Sequence, residues 1–326
     1  MEKKKLGNTD IAVTPLGMGV LTIGPSQLAC SQDAGADIVR YALEQGINFL
    51  DTAEYYKTYP HIRRALKALE PSFSQNILER PVIASKSLAE SYEGMRRAID
   101  ECRSALDFDV LDIFLLHEVV QPPDFLGRSG AWACLQDAKA KGLVKAVGIS
   151  THHTDAASEA VDIAGLDILF PLINFKSLGI RKGENAGIKE DMAAAIGAAA
   201  EKGIGVFAMK AFGGGNLLND YGKALEYVTA LPGVQSVMLG LGCAGDVDDA
   251  IAWFDGRLPK DYRPDVSKKR MFVDRGDCIG CGACAKHCTS KAISYDTDGI
   301  ACVDTQKCVL CGYCVPACPT RAMLFL

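Results

Sequence analysis

Four side chains that can take part in proton transfer lie at or near the ends of three apolar segments. Asp51 closes Asn-Phe-Leu-Asp, Lys86 closes Val-Ile-Ala-Ser-Lys, and His117 closes Asp-Ile-Phe-Leu-Leu-His. Tyr56 follows Asp51 after four intervening residues. If the three segments are consecutive parallel strands of a barrel, their carboxyl ends meet at one rim. The coincidence of all four residue types there favours a catalytic site over an isolated structural ion pair.

These residue types suit the reduction of a carbonyl group. An ordinary tyrosine has a pKa near 10, and we expect the Lys86 cation to lower the pKa of Tyr56 while Asp51 keeps the lysine charged. His117 can hydrogen-bond the carbonyl oxygen and fix its orientation. Tyr56 then donates a proton as hydride reaches the carbonyl carbon. We therefore predict a catalytic tetrad of Asp51, Tyr56, Lys86 and His117.

A second group of reactive residues lies near the C-terminal end of the sequence. Nine of the thirteen cysteines fall between residues 278 and 318, in two runs of spacing C-x2-C-x2-C-x3-C that begin 30 residues apart. The runs are Cys278, Cys281, Cys284, Cys288 and Cys308, Cys311, Cys314, Cys318. Three thiolates on one tight turn can hold three corners of a cubane cluster, and neighbouring glycines let the backbone approach it. Structural zinc and disulfides are the alternatives, although zinc sites usually pair two CxxC hooks without a fourth cysteine at this position.

The elements that must position these residues alternate regularly along the chain. Eight apolar segments are predicted as buried strands, and segments of helical period lie between them. The predicted strands are 16–20, 48–51, 81–86, 111–117, 144–150, 168–174, 205–210 and 236–240. The predicted helices are 34–45, 61–69, 92–106, 131–141, 155–164, 190–202, 222–231 and 247–254.

Eight such units predict the α/β fold class, as a (β/α)8 TIM barrel over residues 1–255. A doubly wound open sheet has the same alternation, but no Gly-x-Gly-x-x-Gly follows the first strand. A short hairpin over 6–14 is expected to plug the bottom of the barrel. Residues 256–270, rich in proline and basic residues, are predicted to be a linker to a small domain over 271–326.

Residues 1–255 resemble an aldo-keto reductase. The resemblance rests on Leu6-Gly-Asn-Thr, on Asp51-Thr-Ala-Glu-Tyr-Tyr56, on His117 and on Val147-Gly-Ile-Ser150. The spacing of the family's tetrad selects Tyr56 over the neighbouring Tyr55 as the acid.

The aldo-keto reductase resemblance implies a nicotinamide cofactor, NADP(H) or NAD(H). The cofactor-binding residues that it implies, or that a nearby glycine-rich turn offers, are Ser150, Asn174, Met209, Lys210, Gly240 and Gly242. The sequence departs from the family here, because Thr151 replaces a usual Asn, Phe170 a usual Gln, and Met209 a stacking aromatic ring. The loop 240–246 has no Lys or Arg to pair with a 2′-phosphate, and an ordinary βα turn would be equally glycine-rich.

The 271–326 segment resembles the bacterial two-cluster ferredoxin module, a small α+β ferredoxin-like domain. The resemblance implies one [4Fe–4S] cluster on Cys278, Cys281, Cys284 and Cys318. It implies a second cluster on Cys308, Cys311, Cys314 and Cys288. Thr289 stands where the family usually has proline, but the ligands themselves are intact.

Composition limits the partners. The net charge of −5 argues against nucleic acid or an anionic membrane, and the longest apolar stretches are far shorter than the ~20 residues of a membrane span. Polar residues follow the basic start of the chain where a signal peptide has an apolar core. We therefore expect no nucleic-acid or membrane partner and a cytoplasmic location.

Together these features predict a cytoplasmic oxidoreductase that interconverts a small-molecule carbonyl and an alcohol with a nicotinamide cofactor. The clusters would pass electrons to or from the site, or to a redox protein partner. The alternative is an electron-transfer protein whose barrel is a binding platform without hydride chemistry. A third hypothesis is that the clusters only hold the C-terminal segment together.

Overall fold

The computed structural model describes residues 1–120 and 127–326 of the chain. Strands β1 (Lys4–Lys5) and β2 (Ala12–Val13) form an antiparallel hairpin. A closed barrel of parallel strands follows, and β12 pairs with β3 to close it. The strands after the first hairpin are β3 (Leu16–Gly19), β4 (Phe49–Asp51), β5 (Val82–Ser87), β6 (Leu111–Leu116), β7 (Val144–Thr151), β8 (Ile168–Pro171), the hairpin pair β9 (Arg181–Lys182) and β10 (Asn185–Ala186), β11 (Gly205–Met209) and β12 (Val234–Gly240).

Helices connect the barrel strands and cover their outer faces. They are α1 (Gln32–Glu44), α2 (Tyr59–Ser74), α3 (Tyr92–Leu106), α4 (Ser129–Ala140), α5 (Thr154–Ala160), α6 (Lys189–Glu201), α7 (Tyr221–Thr229) and α8 (Ala244–Phe254). Ser31 and Ser91 begin α1 and α3 because their side chains accept hydrogen bonds from backbone N–H groups of the first turn. The barrel prediction is therefore confirmed, with strand and helix ends shifted by a few residues.

Aromatic side chains fill the inside of the barrel. The ring centroid of Phe207 lies 4.9 Å from that of Phe49 and 4.2 Å from that of Phe170. Leu6 and Ile11 of the N-terminal hairpin are buried in the same cluster. The hairpin therefore plugs the amino-terminal end of the barrel, as predicted.

The C-terminal domain consists of two antiparallel ribbons and two short helices. Its elements are β13 (Met271–Val273) paired with β16 (Met323–Phe325), β14 (Ile293–Tyr295) paired with β15 (Ala301–Val303), α9 (Ala283–Lys286) and α10 (Cys314–Ala317). Met271, Ala301 and Met323 form its small core together with two cysteines. Each ribbon pairs one strand that flanks the first run of cysteines with one strand that flanks the second run.

This domain packs directly on the barrel at the carboxyl ends of its strands. The backbone N–H of Phe325 donates to the carbonyl of Gly214 (2.8 Å), and the Asn216 side chain donates to the carbonyl of Met323 (3.2 Å). Gly215 has a φ of +84°, and a Cβ there would lie 1.8 Å from the Phe325 carbonyl oxygen. The last strand of the chain therefore fits against a backbone surface that has no room for a side chain.

Residues 256–270 contain no helix or strand and run along the barrel. The Tyr262 ring packs edge-on against Tyr221, with centroids 5.5 Å apart. The domain boundaries at residues 255 and 271 remain our proposal.

No helix within residues 1–120 and 127–326 has both the length and the apolar character needed to cross a membrane.

Candidate active site and cysteine cavities

A buried ion pair joins the ends of β4 and β5. The Nζ of Lys86 donates to Oδ1 of Asp51 (2.7 Å) and to the carbonyl oxygen of Thr52 (2.8 Å). The two strands are parallel neighbours, with Asp51 opposite Ala84, so the two side chains reach the same rim. Both side chains are almost completely buried.

Tyr56 and His117 complete the group of four that the sequence predicts. Tyr56 lies in a short 3-10 turn, Glu54–Tyr56, directly after β4. The Nζ of Lys86 is 4.6 Å from the centroid of the Tyr56 ring, and the His117 ring lies edge-on to it at 5.6 Å. The structure thus brings all four residues together at one end of the barrel.

The electrostatics of Tyr56 differ from the expectation. Burial raises the pKa of Tyr56 well above its ordinary value, and the charges of Asp51 and Glu118 raise it further. The predicted lowering of the Tyr56 pKa by Lys86 is wrong, because the effect of burial outweighs the charge of that lysine. Burial, and secondly the Lys86 charge, hold the pKa of His117 well below its ordinary value, so its imidazole is neutral at physiological pH.

Arg128 holds the ends of the strands that carry the site. Its buried guanidinium donates to the carbonyl oxygens of His117 (2.8 Å) and Ser87 (2.9 Å). These carbonyls lie at the ends of neighbouring strands, so Arg128 fixes the position of His117. Sequence reasoning missed it because it lies eleven residues beyond His117 in no recognisable motif.

A cavity of about 1100 Å³ starts at Asp51 and Tyr56 and extends across the rim. Its wall includes the last three residues of the chain, 324–326. Four of the six residues predicted to bind a nicotinamide line it, namely Met209, Lys210, Gly240 and Gly242.

The other two predicted residues do not line this cavity. The Ser150 hydroxyl is buried and accepts from the backbone N–H of Glu118 (3.0 Å). The Asn174 amide both donates to and accepts from the backbone of Leu178, each at 2.9 Å. Both side chains support local loops, and the cofactor assignment of all six residues stays our proposal.

The loop after β12 obtains its cation from the linker. Asp246 accepts from the backbone N–H of Gly242 (2.8 Å), and the Nζ of Lys269 lies 3.1 Å from the other carboxylate oxygen. Lys269 also lines the 1100 Å³ cavity. The loop sequence lacks a basic residue, and the position of Lys269 in the linker gave no indication of this contact.

The cysteines of the C-terminal domain surround two separate cavities. The first, of about 300 Å³, is lined by Cys278, Cys281, Cys284 and Cys318. The second, of about 340 Å³, is lined by Cys308, Cys311, Cys314 and Cys288. Each cavity thus gathers three cysteines of one run and the last cysteine of the other.

The chemistry of these cavities fits an iron–sulfur cluster. Four thiols line each one, and backbone N–H groups of Ala322 and Ala292 donate to the sulfur atoms of Cys318 and Cys288, both at 3.2 Å. Within the described residues, no three His, Cys, Asp or Glu side chains are arranged to hold a single metal ion.

The segment just before the first run of cysteines packs on the barrel. Gly276, just before Cys278, packs so closely on Tyr55 that a Cβ there would lie 2.3 Å from the tyrosine hydroxyl. The Gln27 amide reaches the Asp274 carboxylate at 3.5 Å. The segment that leads into the first run therefore contacts the rim loop that carries Tyr56.

Comparison with known proteins agrees with these observations. Residues 15–230 match the Aldo/keto reductase family, and residues 277–322 match the 4Fe-4S dicluster domain. The 6-dehydroglucose reductase of Novosphingobium aromaticivorans is 30% identical over 168 residues, which cover 47% of this chain and 52% of that protein. The L-galactose dehydrogenase of Arabidopsis thaliana is 29% identical over 166 residues, 50% of this chain and 52% of that protein. The chain spans about half the length of the curated relatives it matches.

Solved structures share the barrel. A Pseudomonas aeruginosa protein described as an aldo-keto reductase has a TM-score of 0.64 at 22% identity, covering 79% of this chain and 95% of that chain. An aldo-keto reductase of Bacillus halodurans in its holo form has a TM-score of 0.62 at 18% identity, and the match covers 81% of this chain and 98% of that chain. At such identities the likeness shows the fold alone. The chain belongs to the aldo/keto reductase family and carries a 4Fe-4S dicluster domain after its barrel.

Proposed function

We propose that this chain is an oxidoreductase that interconverts a carbonyl and an alcohol by hydride exchange with NADP(H) or NAD(H), linked to electron transfer through two [4Fe–4S] clusters. One observation carries the proposal. The Nζ of Lys86, bonded to Asp51 at 2.7 Å, lies 4.6 Å from the ring of Tyr56 at the end of the 1100 Å³ cavity.

The tetrad can supply the proton that carbonyl reduction consumes. The raised pKa keeps Tyr56 protonated at neutral pH, so a proton is available when hydride turns the carbonyl oxygen into a basic alkoxide. The neutral His117 can donate a hydrogen bond to the same oxygen and orient it. Lys86 and Asp51 place a cation beside the tyrosine ring, which stabilises negative charge as the proton leaves.

The cysteine cavities can link this chemistry to single-electron carriers. A [4Fe–4S] cluster in each cavity would accept or release one electron at a time. Where a redox protein and not the nicotinamide is the reductant, two such clusters would together carry the two electrons that the reduction of one carbonyl to an alcohol consumes, along with two protons. We expect a small-molecule carbonyl or alcohol substrate and a redox protein partner for the clusters. All thirteen cysteines are free of disulfides, which supports a cytoplasmic location.

An anaerobic titration of the reconstituted protein tests the proposal. NADPH and NADH are added separately, while nicotinamide fluorescence and the visible absorbance of the clusters are recorded. We expect a change in fluorescence with one of the two cofactors, and its oxidation when a panel of aldehydes and quinones is added. Absence of cofactor binding together with absence of carbonyl reduction would contradict hydride chemistry.

The second candidate function is electron transfer with the barrel as a binding platform. It is favoured by the loop after β12, where the Asp246 carboxylate already accepts from the backbone N–H of Gly242 and pairs with Lys269, so both phosphate-binding groups are engaged within the protein. Under this hypothesis, the clusters exchange electrons with a soluble redox protein while neither nicotinamide binds. The same titration separates the two functions.

A further inference from the structure

A histidine outside the tetrad touches two charged groups at the rim. His152 lies just after β7, and its ring is buried except for a small fraction. Its Nδ1 lies 2.5 Å from Nη2 of Arg321, which belongs to the C-terminal domain. Oε1 of Glu118, the residue after His117, lies 3.1 Å from the same nitrogen.

The contact with arginine determines which ring nitrogen carries the proton. A guanidinium has only donors, so the Nδ1 of His152 must accept from Arg321 and cannot carry hydrogen. The imidazole is then neutral and protonated at Nε2. Burial, followed by the charges of Arg321 and Lys210, keeps the pKa of His152 well below its ordinary value, which agrees with a neutral ring. The Glu118 carboxylate also faces this nitrogen at 3.1 Å, but the Arg321 donor is closer at 2.5 Å and determines the position of the proton.

Packing holds Arg321 in this position. A Cβ on Gly179 would lie 1.8 Å from the Cδ of Arg321, so the arginine stem rests on bare backbone of the barrel. Arg321 itself adopts a left-handed backbone with a φ of +65°. Within the described residues no carboxylate lies within 4.0 Å of its guanidinium, and Nη1 is buried without a hydrogen-bond partner. The C-terminal domain therefore places an arginine donor against the histidine.

The other nitrogen of the histidine is available to a ligand. Among residues 1–120 and 127–326, none forms a hydrogen bond with Nε2 of His152. The residue lines an open cavity of about 930 Å³ between the barrel and the C-terminal domain. Glu118, Arg181 and Arg321 line the same cavity. A ligand there lies near the tetrad, because the Glu118 carboxylate that contacts His152 also acts on the pKa of Tyr56.

We propose that His152 is a substrate-binding residue whose Nε2–H donates to an oxygen of the substrate, and that Arg321 is the positioning residue that fixes this tautomer. The inference rests on the proposed carbonyl chemistry for the identity of the ligand. The substrate class is a carbonyl compound that carries a second oxygen, as a hydroxyl or carboxylate, beyond the carbon that is reduced. The C-terminal domain thereby helps to select the substrate.

Nitrogen NMR of the full-length protein containing clusters and [15N]histidine tests the tautomer without turnover. The chain has five histidines, and His152→Gln assigns the signal of interest. We expect the wild type to show protonated Nε2 and unprotonated Nδ1 at pH 7. Arg321→Met should allow the other tautomer or a doubly protonated ring, whereas Arg275→Met removes the same charge from the same domain at the surface and should change nothing. A protonated Nδ1 in the wild type, or an unchanged signal in Arg321→Met, overturns the role of Arg321.

Retention of iron in Arg321→Met shows that the domain still folds. If Arg321→Met loses its iron, Arg321→Gln is compared with the wild type in its place, because glutamine keeps a hydrogen-bond donor and removes the charge. The pH dependence of the His152 signal then decides, since its pKa should rise towards the ordinary value when the charge is absent. An unchanged pKa overturns the proposal.

The substrate class is tested with two probes on the same sample. Glycerol should shift the Nε2 signal of His152 in the wild type, whereas 1-propanol should shift it much less. For turnover, glyceraldehyde is compared with propanal, and His152→Leu should reduce the preference in kcat/KM about tenfold, mainly through KM. His152→Gln keeps a donor and should recover part of the preference. Equal shifts of the His152 signal with both alcohols overturn the substrate class. If the signal shifts with glycerol but the protein reduces no aldehyde, only the proposed function is contradicted.

Discussion

Replacing Lys86 with methionine removes the cation and leaves a buried carboxylate. The Lys86 and Asp51 side chains are almost completely inaccessible, and their 2.7 Å contact is the lysine's only ion pair within the described residues. Removing one partner of a buried pair typically costs about 3–5 kcal/mol, because the other charge loses its compensation. We expect a loss of stability of this size in Lys86→Met at pH 8.

The loss of stability in Lys86→Met should depend on pH in a defined direction. Burial raises the pKa of Asp51, and only Lys86 opposes this, so the variant raises that pKa further above the unfolded value near 4. A folded pKa above the unfolded one means that folding binds a proton. The stability of Lys86→Met should therefore be highest at low pH and fall by up to about 1.4 kcal/mol per unit as pH rises towards the folded pKa.

Chemical denaturation at pH 6, 7 and 8 measures both effects, with the free energy of unfolding of the variant compared with that of the wild type. Lys139→Met is the matched control, because Lys139 also contacts an aspartate at 2.7 Å but is partly exposed. It should cost less than about 1 kcal/mol and show no added slope. If Lys86→Met is as stable as the control, or becomes more stable as pH rises, the tetrad does not contain a buried ion pair.

Three further predictions concern other parts of the molecule. Tyr56→Phe should lower carbonyl reduction by about 10²–10⁴-fold with little change in stability, whereas the exposed Tyr55→Phe should keep its rate; equal rates in both variants would contradict the proton-donor role. Cys288→Ala should remove the cluster bound by the second run of cysteines, as measured by iron content and electron paramagnetic resonance; loss of the first run's cluster alone would refute the crossover. Gly215→Ala should displace the C-terminal strand and increase protease cleavage there, because its Cβ has no room, whereas Gly46→Ala, at a similar positive φ but in open space, should not.

The sequence predicted the site best where reactive residues occur at regular positions, such as strand ends or fixed cysteine spacings. Buried parallel strands are apolar runs that end at one rim, so the positions of Asp51, Lys86 and His117 could be predicted from the strand ends alone. The cysteine spacing likewise predicted two groups of cluster ligands, and the resemblance to the two-cluster module implied which cysteines belong to each group. The strand ends were less well predicted, since β8 stops at Pro171, three residues before the expected end.

Contacts between distant segments could not be predicted. Nothing in the spacing of Arg321 or Lys269 indicates that they reach the barrel rim, because their partners lie more than 20 residues away in the chain. The pKa of Tyr56 was mispredicted for a related reason. The charge of Lys86 was visible in the sequence, but the extent of burial that outweighs it was not.

Because of strand β16, the C-terminal domain cannot be replaced without changing the barrel cavity. Met323 lines both cysteine cavities, while the residues that follow it form part of the wall of the barrel cavity. A strand rises about 3.3 Å per residue, so the wall of the cysteine cavities and the wall of the barrel cavity are separated by only about 3 Å of backbone. A chimera that carries another electron carrier on a flexible tether would open the barrel cavity to water. Engineering of this architecture therefore requires that the terminal strand be grafted together with any new carrier.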